Sequence, residues 1–381
     1  MDAARSTVEF IRRLFNEPSA FIPLHVPSFK GNEKVYLNEC IDSTFVSSVG
    51  PFVDRFEAWI RDYTGAKYAV AMVNGTSALH LSLILAGVKR DDLVITQALS
   101  FIATCNAISY IGAQPAFADI DKRNLSMSPD ALRAFLDQCE MRSSECFHRL
   151  SGRRVAACVP MHTFGISAEI DLIAELCAQY NIPMIEDAAE SLGTTWKGTH
   201  TGRFGLLGTY SFNGNKTVTS GGGGIIVTDD DKLGPLAKHL STQAKVPHRW
   251  EFIHDHVGYN YRCPNINAAL ALAQLEQLEE FISDKRSIAS AYKEHFAESE
   301  WQFVEVPENC TSNHWLNAIL LNSREERDEF LHFTNENGIM TRPAWELMHR
   351  LPMFQKCLHD GLPDSIDIAD RLVNLPSSYR P

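Results

Sequence analysis

The stretch "TYSFNGNKTVTSGGGGIIVTDD", residues 209–230, holds one lysine, Lys216, in a polar turn between two strand-like runs. A lysine whose amine attacks a carbonyl must be held near its target and be at least partly deprotonated. Upstream, "PMIEDAAESLG" ends an apolar strand in two acids, Glu186 and Asp187, with Glu190 shortly after. A carboxylate at the end of a buried strand is costly to desolvate unless a cation or a donor faces it. Further back, "VNGTSALH" breaks a strand at Asn74-Gly75 and opens a helix at Thr76-Ser77. The first N–H groups of a helix lack internal partners and its dipole is positive there, so an anion such as phosphate fits.

Each feature has an ordinary explanation when taken alone. Thr76 or Ser77 can cap its helix, Asp187 can cap a strand end, and Gly221 to Gly224 can form a flexible surface loop. Together they match one chemical requirement. Pyridoxal 5'-phosphate is an aldehyde that needs a lysine to join it, an acid against its pyridine nitrogen and an anion site for its phosphate. An aromatic face over the ring is a common addition. Lys216, Asp187, the helix start at Gly75, Thr76 and Ser77, and Phe101 after the strand "LVITQ" supply these parts, with Ser211 and Asn213 as donors beside the lysine. The glycine run can take positive φ and lets the backbone pass close to a ligand or another chain.

These residues need a scaffold that gathers strand ends. Between about residues 65 and 230, short apolar runs ("YAVAMV", "LVITQ", "QPAFADI", "RVAACVP", "PMIED") alternate with helical patterns. That alternation predicts a mostly parallel sheet between helices, with ligands at the carboxyl ends of its strands. The expected organisation is an N-terminal helix over 1–20 and a large cofactor-binding domain over 21–245. A smaller α+β domain over 246–381 follows, joined by one long helix over 266–298. Residues 140–154 lack a sustained period and read as a solvated insertion.

Composition narrows the function classes. Of 381 residues, 45% are hydrophobic and 22% charged, with net charge −12 and no basic block. A nucleic-acid surface needs clustered Lys and Arg, so none is expected. Neither G-x-x-x-x-G-K-[ST] nor G-x-G-x-x-G after a strand occurs, so the nucleoside-triphosphate and dinucleotide fingerprints are missing. Nine scattered cysteines without a C-x-x-C pair argue against a zinc site or a disulfide framework. The N-terminal "MDAARSTVEFIRRLF" has no apolar signal core, and no apolar run approaches membrane-spanning length. A cytoplasmic protein without membrane contact is expected. "HDHVGYNYR" offers His254 and His256 as metal ligands, but no third ligand at suitable spacing, so no metal is expected.

The run "NGTSALHLSLILAGV", "TQALSFIATCNAISYIGAQPAFADID", "MHTFG", "IEDAAESLGTTWKGTHTGRFGLLGTYSFNGNKTVTSGGGGIIVTDD" and "VGYNYRCPNINAALALAQLEQL" closely resembles the DegT/DnrJ/EryC1/StrS family. The resemblance implies a fold-type I, aspartate-aminotransferase-like enzyme that uses pyridoxal 5'-phosphate to aminate a nucleotide sugar, with pyridoxamine phosphate as intermediate. It implies Lys216 as the cofactor's covalent anchor and Asp187 as the acid on its ring nitrogen. Glu190 falls near the phenolic oxygen, and Phe101 stacks on the ring. Thr76, Ser77 and Ser211 contact phosphate, and Asn260 reaches the phosphate from the second subunit of a homodimer. Sugar dehydratases of the family carry His in place of the lysine, so Lys216 points to transamination. "STFVSSVGPFVDRFE" and "NGIMTRPAWELMHRLPMF" resemble the branch that moves the amino group of L-glutamate to C4 of UDP-4-keto-6-deoxy-N-acetylglucosamine. That branch leads to bacillosamine- and legionaminic-acid-type sugars. His162, His314, Arg342, Trp345 and His349 are the candidate substrate contacts. The rival readings are a C3 or differently carried keto-sugar, and a regulator that binds the cofactor without turnover.

Overall fold

The computed structural model describes residues 2–380. The large body is built on seven strands: β1 Tyr68–Met72, β2 Leu93–Gln97, β3 Gln114–Ala118, β4 Val155–Val159, β5 Ile185–Asp187, β6 Leu207–Ser211 and β7 Gly224–Thr228. They form two hydrogen-bonded sheets, β3-β2-β4 and β5-β6-β7-β1. Single parallel bridges, Cys158 to Met184 and Met161 to Asp187, join them into one surface. Only β7 runs antiparallel, pairing β6 on one side and β1 on the other.

Strand composition explains the burial on both faces. In β1, Ala69 and Ala71 pack in one hydrophobic cluster with Phe56, Ala268 and Leu272. Val70 and Met72 point into another with Leu79, Leu81 and Ala237. This is period-two alternation in which both sides are apolar, as a sheet covered by helices requires. The helix over Gly75–Leu85 starts where Asn74 accepts the Ser77 N–H at 2.8 Å, and the helix over Pro51–Thr64 ends at Gly65 with φ +74°.

The second body carries a four-stranded antiparallel sheet in the order Gln302–Phe303, Asn317–Leu320, Leu372–Leu375, Arg342–Pro343. The expected long helix is two helices, Asn265–Leu275 and Leu278–Phe296. No Gly or Pro marks the break. At the junction the Gln277 side chain donates to the Ala273 carbonyl and to the buried Glu33 carboxylate. The first of the two helices packs in the large body's core and the second crosses to the small body. The N-terminal helix Asp2–Leu14 also joins the small body, where Ala4, Val8 and Ile11 meet Ile288, Tyr292 and Phe330. The expected insertion at 140–154 contains a hairpin, Cys139–Arg142 with Glu145–His148, which turns Cys146 and His148 inward.

Candidate active site

The carboxyl ends of the parallel strands meet at one cavity of 260 Å³. Its wall includes Gly75, Thr76, Phe101, Asp187, Glu190, Ser211, Asn213, Lys216 and Trp345, all singled out from the sequence, together with Asn74, Asn215 and Trp315. β5 delivers Asp187 to the floor. Its Oδ2 accepts from Thr104 Oγ1 at 2.6 Å and its Oδ1 from the Ala189 N–H at 3.2 Å. Burial raises the Asp187 carboxyl above its usual range, against the hydrogen bonds and the Lys216 charge. A cation meeting that carboxylate would reverse the shift.

Lys216 follows β6 on a tight turn, with its N–H on the Asn213 carbonyl. Its Nζ lies 3.1 Å from Glu190 Oε1 and 4.1 Å from the centre of the Trp315 ring. Glu190 Oε2 accepts the Phe164 N–H at 2.9 Å. Phe164 holds φ +56°, a conformation unusual for a bulky residue and found where surroundings over-determine the backbone. Burial pushes the Glu190 carboxyl up to about 7.

That shift gives a pH prediction. The folded chain binds the Glu190 proton more tightly than an unfolded glutamate, whose ordinary value is 4.5. The associated stability is complete below about pH 4.5 and is lost as pH rises through about 7. Glu190→Gln has no such titration. The unfolding free energy of cofactor-free wild type minus that of the variant should therefore fall by roughly 3 kcal/mol from pH 4.5 to 7.5. Denaturant unfolding across that range measures it, and a flat difference refutes the assignment.

Gly224, the last of the glycine run, has a packing reason. A Cβ on Gly224 would lie 2.5 Å from the Asn74 carbonyl carbon and oxygen and 2.7 Å from the Gly75 nitrogen. One on Gly75 would stand 3.0 Å from Ser211 Cβ. β7 and β6 thus bring the helix start and Ser211 Oγ to one spot, which only side-chain-free backbone permits. Gly224→Ala should cost about 1–3 kcal/mol and displace that turn. Thermal melting and cofactor retained after dialysis check both effects, and an unchanged pair of values removes the assigned role.

Several expected contacts lie elsewhere. Ser77 is outside the cavity wall because its N–H serves the Asn74 cap. His162 is fully buried, with Nε2 on Glu186 Oε2 at 3.0 Å and Nδ1 accepting the Ala168 N–H at 3.2 Å. Both ring nitrogens already have protein partners, and the residue is not on the cavity wall. Glu186, its partner, also accepts the Gly202, Phe204 and Gly205 N–H groups and serves the fold. His314 faces a separate depression with Arg286 and Lys293, and burial lowers it to about 4. His349 pairs with His359, ring centres 5.3 Å apart, outside the cavity wall. Arg342 lines a neighbouring cavity, and Asn260 is exposed, bridged to Thr242. His254 bonds the Gln243 carbonyl, while His256 and His239 share Asp255.

A family model, the DegT/DnrJ/EryC1/StrS aminotransferase family, matches residues 27–380. The chain belongs to this family. The aminotransferase is 38% identical to the GDP-perosamine synthase of Escherichia coli O157:H7 over 94% of this chain and 93% of the relative. It is 35% identical to the GDP-perosamine synthase of Vibrio cholerae over 93% and 94%. The solved aminotransferase TlmJ from Streptoalloteichus hindustanus is 25% identical with TM-score 0.85, over 94% of this chain and 93% of that one. The chain is a fold-type I, pyridoxal-phosphate-dependent sugar aminotransferase. Its cavity fits the cofactor: an amine, a buried acid and a helix start beside Ser211 face one space.

Sequence reasoning missed Asn74, Asn215 and Thr104. Asn74 had a signal, since Asn is a strong helix cap. Thr104 had none, because its contact with Asp187 joins separate elements.

Proposed function

We propose that this aminotransferase moves the amino group of L-glutamate to the C4 ketone of a nucleotide-linked 4-keto-6-deoxy sugar. The observation that carries the reading is Lys216 Nζ, held by Glu190 at 3.1 Å on the same cavity as the buried Asp187. Asn74, Gly75, Thr76 and Ser211 would hold the phosphate, Phe101 the ring face, and Lys216 the aldehyde. When bound, the cofactor supplies an electrophilic carbon and an electron sink. Asp187 holds a proton on the ring nitrogen. Lys216 would take the α-proton of the amino donor and, in the second half-reaction, deliver a proton to C4 of the sugar as that carbon gains the amine. Glu190 keeps the lysine's amine oriented, and Trp315 and Trp345 close the cavity against water.

Two nucleotides have support. The sequence segments around residues 43–57 and 337–354 favour a UDP-linked sugar, and the GDP-perosamine synthases at 38% and 35% identity favour a GDP-linked one. A homodimer fits the exposed Trp250, Phe252, Ile253 and Val257, an apolar patch that suits a second copy. Asn260 beside it would then reach the partner's phosphate site. Nine buried free cysteines suit the reducing cytoplasm. Among the described residues no helix is long and apolar enough to cross a membrane. The deciding experiment offers L-glutamate with GDP- and UDP-linked 4-keto-6-deoxyhexoses and their 3-keto isomers, and identifies the aminated product by mass spectrometry and NMR. Amination at C3 alone, or of none of these sugars, overturns the reading.

A further inference from the structure

A second cavity, of 430 Å³, opens beside the first and shares Asn215, Trp315 and Trp345 with it. Its lining mixes indole and aliphatic surface with His25, whose ring nitrogens are unpartnered, and with Asn374 and Arg342, each of which spends part of its hydrogen-bonding capacity on protein groups. Both ring nitrogens of His25 are shielded from water and have no partner among the described residues. So is Oδ1 of Asn374, a residue 3% exposed. Arg342 spends one guanidinium nitrogen, Nη1, on Asn335 Oδ1 and the Thr341 carbonyl. Buried polar atoms in native proteins are almost always paired, so a cluster of orphans in one cavity marks a place where a ligand supplies the partners.

We propose that this cavity is the subsite for the pyranose ring of the acceptor sugar, and that His25 and Asn374 determine specificity by reading the hydroxyl next to the ketone. The proposal rests on the keto-sugar reading above. Its chemistry follows from the lining. Trp315 forms a wall of both cavities and carries Lys216 Nζ 4.1 Å from its ring centre, so the two cavities adjoin at the indole that the lysine covers. In a 4-keto-6-deoxyhexose, C5 carries the methyl group, so the hydroxyl adjacent to C4 sits on C3. An imidazole and an amide oxygen together offer a donor and acceptors, the complement of a hydroxyl that both gives and takes a hydrogen bond. Burial, with Lys285 and Lys216 nearby, holds His25 well below its usual range, so the ring is uncharged and suits a neutral group. The apolar remainder of the lining suits the 6-methyl side. Arg342 at the cavity's polar side is left for the nucleotide's phosphates.

Sites built to bond a hydroxyl reject analogues lacking it far more strongly than apolar pockets reject a missing methylene. Holoenzyme should therefore prefer the keto-sugar that it turns over to its 3-deoxy analogue by about 100-fold or more in kcat/KM. His25→Leu should lower kcat/KM for the hydroxylated sugar by about 100-fold and reduce the preference below about 10-fold. The half-reaction with L-glutamate alone, followed by absorbance, should stay within about 2-fold. Calorimetric affinity for the aminated nucleotide-sugar product should weaken in parallel. Asn374→Ala should behave similarly, and His25→Gln, which keeps a donor and an acceptor, should recover most of the preference. A thermal melt confirms folding, and if His25→Leu fails it, the Gln and Asn374 variants decide. Full preference in His25→Leu and Asn374→Ala, or equal loss in both half-reactions, overturns the assignment. Wild type that converts L-glutamate but aminates no keto-sugar instead refutes the keto-sugar reading.

Discussion

Lys216→Ala yields a folded protein whose turnover falls by more than about 10⁴-fold. The side chain has two duties that no neighbour can assume. Among the described residues its amine is the only one on the cavity wall, so both the covalent anchor and the proton carrier disappear together. Glu190, the titratable group bonded to it, holds a carboxyl that burial raises to about 7 and is pinned on Oε2 by the Phe164 N–H. The fold should survive. Removing the ammonium leaves Glu190 buried without its partner, but a carboxyl already displaced toward protonation takes up a proton instead of remaining an unpaired charge. Single-turnover measurement with L-glutamate and a thermal melt give the two readouts. Sustained transamination by the variant would sink the assignment of Lys216, as would retention of a covalently held cofactor after borohydride reduction.

Asp187→Asn should lower kcat/KM by about 10²–10³-fold while the protein melts within a few degrees of wild type. Asparagine preserves shape and can still accept from Thr104 Oγ1, now at 2.6 Å from Oδ2. It loses the negative charge that keeps a ring nitrogen protonated, and that charge acts in a site closed to water. The alternative role, a strand-end cap for the Ala189 N–H, predicts the opposite pattern. A cap lost or weakened costs about 1 kcal/mol of stability and leaves the rate alone. Steady-state kinetics at saturating cofactor, with the absorbance spectrum of the bound cofactor followed against pH, separates the two. Near-normal rates across the pH range remove Asp187 from its catalytic role.

The sequence went furthest where one residue's type sets both local structure and chemistry. Asn74-Gly75 before an apolar helix, acids at the end of "PMIED" and a lysine after "TYSF" each mark a strand end. In a parallel sheet the strand ends lie on one edge. The same logic does not reach the histidines, whose rings lie off the cavity wall. His162, His314 and His349 stand near strand ends or in a carboxyl-terminal segment, yet their rings turn to Glu186, a separate depression and His359. Side-chain direction is set by the neighbours that a ring packs against, and those come from distant elements. The break in the long helix was hidden for a related reason. The helical pattern over 266–298 runs through the break at Gln277, where a buried Glu33 from far upstream captures the glutamine amide. The hairpin at residues 139–148 carries few apolar residues and gains its inward face only from the core it covers.

By itself, then, the sequence determined the alternating scaffold and the set of chemical groups at its strand ends, because periodicity and residue type act locally. Tertiary structure decided the rest. It placed Glu190 against Lys216, used Gly224 to let β7 pass the Asn74-Gly75 turn, and brought His25 and Asn374 to one cavity lined also by Phe164, Asn215 and Trp315. Those relations depend on distances between residues far apart in the chain, which only the packed core fixes.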